Sequence, residues 1–134
     1  MQVFDFTAAH VEQATQIARQ NYEKARACLP TLPRVKQFPD LAPFAENGLG
    51  TAAFEGGDMV GFLCCVPPFK NALGSTGATG VFSPLGTNGV TGTERAKTYA
   101  RLYQAAGEKW ASAGATSHAV CLYAHDQESQ IKYK

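Results

Sequence analysis

The sequence lacks the features that would direct it to a nucleic acid, a membrane or the secretory pathway. Its 12 Lys and Arg residues are balanced by 11 Asp and Glu residues, so the net charge is only +1 and no basic run could follow a phosphate backbone. No apolar run reaches the roughly 18 residues that cross a bilayer, and no basic and apolar leader opens the chain. We therefore expect a cytoplasmic protein with no nucleic-acid or membrane partner.

The chain is equally short of groups that bind metals or form disulfides. Its four cysteines include no CxxC pair, and the adjacent Cys64 and Cys65 would point to opposite faces of a strand. The three histidines, His10, His118 and His125, do not stand at the spacing of metal ligands. These patterns predict reduced, mostly buried thiols and no metal site.

Length and proline placement predict a single domain over residues 1–134. The chain is 45% hydrophobic, and its length suffices for one core but not for two. Four prolines between Pro30 and Pro43 indicate an irregular connector, after which residues 41–46 are predicted to form one or two helical turns. Residues 127–134 are polar and are predicted to form a tail.

The first half of the chain carries a strand, a helix and a hairpin pattern. Polar and apolar residues alternate over residues 2–6, which predicts a first strand. Thr7 can cap a helix whose apolar residues recur at three- and four-residue steps to about Ala27. Residues 49–65 predict an antiparallel hairpin, because the two glycines at its centre tolerate the positive φ of a tight turn.

The clearest pattern runs from residue 78 to residue 123. An apolar strand over residues 78–82 leads through a glycine-rich loop, residues 83–92, to a helix that ends near Gly114. A second apolar strand follows at residues 117–124. A loop that ends at a helix N-terminus can aim free N–H groups at an anion. The apolar face of the helix is formed by Ala96, Tyr99, Ala100, Tyr103, Ala106, Trp110 and Ala113.

Together these elements predict an α+β fold, arranged as an α/β/α sandwich around a mixed sheet. An antiparallel hairpin is followed by a parallel β-α-β crossover. In the order of its elements, the chain resembles the Gcn5-related N-acetyltransferase (GNAT) family over residues 2–126. The resemblance implies transfer of an acetyl group from acetyl-coenzyme A (acetyl-CoA) to an amine, with a small-molecule amine as one class of acceptor.

The resemblance also implies where acetyl-CoA would bind. In the family, the backbone of the fourth strand holds the pantetheine arm, and a loop with a pattern close to Arg/Gln-x-x-Gly-x-Gly/Ala cradles the pyrophosphate at the start of the next helix. In this sequence no Arg or Gln opens the loop and its glycines are three residues apart, so a plain strand-to-helix connection is the alternative. The implied cofactor-binding residues are Val81, Phe82, Ser83, Gly86, Thr87, Asn88 and Gly89.

The same resemblance leaves the catalytic residues open. The family's usual acid comes from a helix after the fifth strand, and no residue here matches it. By position alone, His125 could act as a base and Tyr123 as a proton donor, while a polar strand end and a core tyrosine are the alternatives. We therefore expect poor acetylation of amines or none. A non-catalytic CoA-binding or assembly module with the same fold is the alternative function.

The C-terminal end of the predicted fold suggests a partner. Only the polar tail follows the fifth strand, so the family's last helix and two strands are expected to be missing. Residues 117–124 would then present an open, apolar sheet edge, which is a template for pairing with another chain. We expect a homodimer formed by pairing of this edge or by exchange of C-terminal segments.

Overall fold

The fold consists of helices and two sheets in a computed structural model that describes residues 1–32, 38–70 and 79–122. None of the helices in these ranges has the length and apolar character to cross a membrane. The helices are α1 (Val11–Cys28), preceded by a 3-10 turn (Ala8–His10), α2 (Ala42–Glu46) and α3 (Arg95–Ser112). The strands are β1 (Gln2–Asp5), β2 (Gly50–Glu55), β3 (Asp58–Cys64), β4 (Phe69–Lys70), β5 (Thr79–Ser83), β6 (Asn88–Val90) and β7 (Ser117–Val120).

Four strands form an antiparallel sheet in the order β1-β2-β3-β6. Strands β2 and β3 form the predicted hairpin, and its turn residues Gly56 and Gly57 have φ values of 56° and 93°. Only glycine adopts such angles without strain, which explains why the turn falls there. The hairpin and the N-terminal strand are confirmed.

A second sheet has the order β4-β5-β7. Strands β5 and β7 are parallel, with Gly80 opposite Ser117 and Ser83 opposite Val120, and the chain between them contains β6 and α3. The bond from Cys121 N to Ser83 O, at 3.0 Å, extends this pairing by one residue. The predicted β-α-β crossover is confirmed.

The sheets are joined where β5 continues into β6. Val66 N donates to Phe82 O at 2.8 Å and Cys64 N donates to Thr87 O at 2.9 Å, so the chain before β6 stays beside the continuation of β3. Residues 84–86, between β5 and β6, bulge out of this pairing, because the register slips by three residues from Val66–Phe82 to Cys64–Thr87. The predicted loop at residues 83–92 is therefore wrong in part, because Asn88–Val90 is a strand paired with β3.

The helices cover opposite faces of the antiparallel sheet, which confirms the three-layer arrangement. Helix α1 packs on one face, where Ile17 and Phe62 belong to a buried cluster. Helix α3 packs on the other face, where Leu102 and Trp110 join Leu63 in a second cluster. Each helix presents an apolar stripe with the spacing that the sequence showed. The sheet therefore lies between two hydrophobic cores.

Candidate cofactor site

The sheet divides just after Ser83, and this division creates the candidate site. Strand β7 pairs with β5, whereas β6 pairs with β3 and is the last strand in the order of its sheet. Past the final β5–β7 bonds, no strand among the described residues pairs with the outer edge of β6. A split between two strands exposes backbone donors and acceptors to a ligand.

The register of β6 shows which of its backbone groups face the split. Cys64 bonds to Thr87 and Thr91 N donates to Val60 O at 2.9 Å, so residues 87, 89 and 91 pair with β3. In an antiparallel ladder the intervening residues turn their N–H and C=O groups the other way. Asn88 and Val90 therefore direct their backbone groups toward the split.

The carbonyl of Val90 is already bound on this outer side. It accepts hydrogen bonds from Asn21 Nδ2 and from an Arg95 guanidinium nitrogen, both at 3.1 Å. Asn21 is buried in α1, whereas Arg95 opens α3, so helices from both faces of the sheet meet at this atom. The outward N–H groups on this edge of β6 belong to Asn88 and Val90, and both residues are buried.

A buried polar network closes the base of the split. The side chain of Asn88 donates to Ser83 Oγ at 2.9 Å and to the carbonyl oxygen of Cys121 at 3.1 Å, which ties β6 to β5 and β7. The Tyr99 hydroxyl on α3 donates to Asn88 Oδ1 at 2.7 Å. Thr87 Oγ1 donates to Pro84 O at 2.7 Å and lies 3.1 Å from Ser83 Oγ. The network fixes the point at which the strands separate.

The start of α3 lies beside the split and carries a pattern that the sequence reasoning missed. Arg95-Ala96-Lys97-Thr98-Tyr99-Ala100 places Arg and Ala at the first and last positions of the Arg/Gln-x-x-Gly-x-Gly/Ala pattern. Thr98 stands where the pattern has glycine, and its hydroxyl donates to Glu94 O at 3.0 Å. The first turn of a helix carries a partial positive charge, to which Arg95 and Lys97 add. The pattern starts nine residues after Gly86, where the cradle was expected.

The predicted cofactor residues Val81 and Phe82 lie on β5, whose backbone is paired on both sides. Val81 and Phe82 lie opposite His118 and Ala119 of β7, while the other edge of β5 pairs with β4 and Val66. Both edges of β5 are therefore occupied by protein. The available backbone edge lies on β6 because the bulge transfers the chain from one sheet to the other. Binding to Val81 or Phe82 remains an untested prediction.

The predicted glycine cradle also has a packing role. A Cβ on Gly89 would lie 2.9 Å from Asn21 Nδ2 and 3.2 Å from Ile17 Cγ2, so this glycine lets α1 approach β6. Gly86 has a φ of +90°, and a Cβ there would lie 3.2 Å from Pro39. The side chains of Ser83, Thr87 and Asn88 serve the internal network. Their contact with a phosphate remains a prediction.

Other predicted features fall at the limits of the described residues. Tyr123 and His125 lie outside them, as do the last residues of the predicted strand at 117–124.

Among the described residues, no cluster of three or more His, Cys, Asp or Glu side chains could hold a metal ion. Burial raises the pKa values of the buried thiols, Cys64 above its ordinary range and Cys65 to about 11.

Solved structures of acetyltransferases match this arrangement over nearly the whole chain. An aminoglycoside 6'-N-acetyltransferase of Acinetobacter haemolyticus is 11% identical, with a TM-score of 0.67 over 99% of this chain and 87% of that one. A ribosomal-protein-alanine N-acetyltransferase of Brucella melitensis is 14% identical, with a TM-score of 0.64 over 99% and 88%. The chain has the GNAT fold.

A further match is the acetyltransferase AAC(6')-Iy, solved in complex with the bisubstrate analogue CoA-S-monomethyl-acetylneamine. It is 15% identical, with a TM-score of 0.66 over 97% of this chain and 84% of that one. These coverages do not support the expected loss of the C-terminal part of the GNAT fold. By sequence, no protein-family model and no curated protein matches the chain.

Proposed function

We propose that this chain binds acetyl-CoA in the split between β6 and β7 and presents its acetyl group to an amine. The outer backbone edge of β6, which pairs with no strand among the described residues and ends beside the N-terminus of α3, carries this proposal. The pantetheine arm has amide groups that can pair with such an edge as a further strand would. The bound bisubstrate analogue of AAC(6')-Iy, with the same fold, supports this choice of ligand.

The backbone donors of β6 would support acyl transfer directly. A hydrogen bond from the N–H of Asn88 or Val90 to the acetyl carbonyl oxygen would stabilise the negative charge that develops when an amine attacks the carbonyl carbon. As the C–N bond forms and the C–S bond breaks, the amine loses a proton and the coenzyme A thiolate gains one. The first turn of α3, with Arg95 and Lys97, would hold the pyrophosphate.

Among the described residues, proton transfer is the step with the fewest candidate donor and acceptor groups. The Tyr99 hydroxyl lies near the split but donates to Asn88. We assign the proton steps to Tyr123 and His125, the two catalytic candidates that follow β7 in the sequence. A module that binds acetyl-CoA without acetylating amines is the second candidate function, because the polar network at the base of the split consists of buried groups bonded to one another.

A single backbone donor provides the test of the binding mode. In Val90→Pro the outward N–H is lost, while no ladder bond to β3 is broken because the N–H of Val90 does not face that strand. Val90→Ala is the matched control, since it removes more side-chain volume but keeps the N–H. By calorimetric titration, Val90→Pro should bind acetyl-CoA about tenfold more weakly than Val90→Ala, equivalent to about 1.4 kcal/mol.

A second ligand shows which part of acetyl-CoA loses its contact in Val90→Pro. Adenosine 3',5'-bisphosphate carries phosphates but no pantetheine arm, so its affinity should be equal in the two variants. If wild-type protein shows neither heat of binding nor a thermal shift with millimolar acetyl-CoA, the proposed ligand is wrong. If acetyl-CoA binds and no amine in a broad panel is acetylated, the non-catalytic module is the correct function.

A further inference from the structure

A cavity of about 140 Å³ lies at the far end of α3 from the candidate cofactor site. Its interior is formed by buried residues of β2, α3 and the chain just after β3, among them Thr51, Cys65, Ala106 and Trp110. Its mouth opens beside the exposed Ala113. The last two turns of α3 line this cavity, whereas the first turn of the same helix borders the split. The two sites are therefore separate.

The polar groups around the cavity are bonded to other protein groups. The Thr51 hydroxyl donates to Leu102 O at 3.3 Å. The ammonium group of Lys109, at the rim, pairs with Asp5. A water molecule needs two to four polar partners to be held in a cavity. This cavity offers few, so it favours an apolar guest.

We propose that this cavity is a binding site for a small apolar group, either an aromatic ring or a short branched alkyl chain. A cavity of about 150 Å³ lined by apolar side chains stays dry and takes up benzene or xenon, so the size is sufficient for one ring. The indole of Trp110 lines one side and offers an aromatic contact, while its ring also packs at right angles on Tyr103 and His118. This packing holds the cavity wall in place.

The chain supplies its own probe, because Trp110 is its only tryptophan. Fluorobenzene titrated into the wild-type protein should give a saturable change in Trp110 fluorescence and a second, bound signal or a saturable shift by ¹⁹F NMR. Ala106→Leu should weaken binding at least tenfold, since the added methyl groups occupy the cavity. Ala113→Leu, at the exposed mouth, should weaken it at least threefold and is far less disruptive to the core.

The matched control is Ala111→Leu, on an exposed position of α3 that does not line the cavity. Its affinity for fluorobenzene should equal that of the wild type. A response that stays linear up to the solubility limit would overturn the proposal, as would unchanged affinity in both Ala106→Leu and Ala113→Leu. Acetyl-CoA binding should be unaffected by Ala113→Leu, so failure of this site is distinguishable from failure of the cofactor site.

Discussion

The buried network around Asn88 should make a large and measurable contribution to stability. Its side-chain amide donates to Ser83 Oγ and to Cys121 O and accepts from the Tyr99 hydroxyl, and Ser83, Asn88 and Tyr99 are all buried. Asn88→Ala removes all three hydrogen bonds at once. A buried group that loses its partner costs about 1–3 kcal/mol, and partial rearrangement lowers the sum, so we expect a loss of about 2–4 kcal/mol.

Urea unfolding followed by circular dichroism measures this loss directly. For a chain of this length, a loss of about 2–4 kcal/mol corresponds to a decrease in melting temperature of roughly 7–14 °C. Asn47→Ala is the matched control, because Asn47 Nδ2 also donates to a backbone carbonyl, Pro43 O at 2.7 Å, but at an exposed site. We expect the control to lose about 0.5 kcal/mol or less.

The pair Asn88 and Tyr99 can be separated by a double-mutant cycle. Tyr99→Phe alone should cost about 1–2 kcal/mol, because Asn88 Oδ1 loses its donor. In the double variant the two losses should fall short of additivity by about 0.5–1.5 kcal/mol. Strict additivity, or equal destabilisation by Asn88→Ala and Asn47→Ala, would refute the reasoning that this network ties the two sheets together.

Three further predictions concern other parts of the molecule. A Cβ at Gly89 would lie 3.3 Å from a Phe62 ring carbon, so Gly89→Ala should lower the free energy of unfolding by about 1–3 kcal/mol. Gly107 lies inside α3, where a Cβ would have its nearest contact at 3.4 Å, so Gly107→Ala should raise the free energy of unfolding by about 0.5–1 kcal/mol in the same urea assay. Burial lowers the pKa of His10, whose Nδ1 accepts the N–H of Thr7, so the folded state disfavours protonation and stability should fall as the pH drops below about 6.5; His10→Gln should flatten this melting-temperature profile, and an equally steep one would contradict the assignment. We also propose a homodimer through the outer edge of β7, so Val120→Lys should convert a dimer to a monomer in light scattering, and a wild-type monomer at high concentration would end this proposal.

Elements with a long, regular pattern could be predicted from the sequence. Helices α1 and α3 carry apolar stripes over 18 residues each, so they could be predicted without knowledge of their tertiary contacts. The hairpin was equally local, because its two glycines mark the turn between strands that pair with each other. The parallel crossover followed from the order of strand, helix and strand.

Strand β6 could not be predicted because nothing local specifies it. It has only three residues, the central one is Gly89, and its partner Phe62 lies 27 residues earlier in the chain. Glycine is unfavourable in strands, and three residues are too few for an alternating pattern. The strand exists because β3 supplies a paired edge and α1 covers it. Tertiary contacts therefore override the local preference of a glycine-rich stretch for a loop.

The pattern at the start of α3 was present in the sequence but was missed because a threonine occupies its glycine position. The expected cradle was sought among glycines, which drew attention to Gly86 and Gly89 rather than to Arg95. With Thr98 in place of glycine, only the Arg and Ala positions remain as signals. The structure adds what the pattern lacks, namely a helix that begins at Arg95 beside β6, the last strand in its sheet within residues 1–32, 38–70 and 79–122.

Two glycines explain why that helix start and that strand edge lie together. Gly61 and Gly89 occupy neighbouring positions on β3 and β6, and the space above each is taken by a different helix. A Cβ on Gly61 would lie 3.0 Å from Thr98 Cγ2, so the absence of a side chain lets the first turns of α3 approach the sheet. On the opposite face, Gly89 admits α1 and with it Asn21, whose amide binds Val90 O. Side chains at these two positions would push both helices outward. The glycines therefore place the positive end of α3 and the outward N–H groups of β6 at one point of the sheet. The acetyl-CoA that we propose as ligand would contact both with its acyl and phosphate groups.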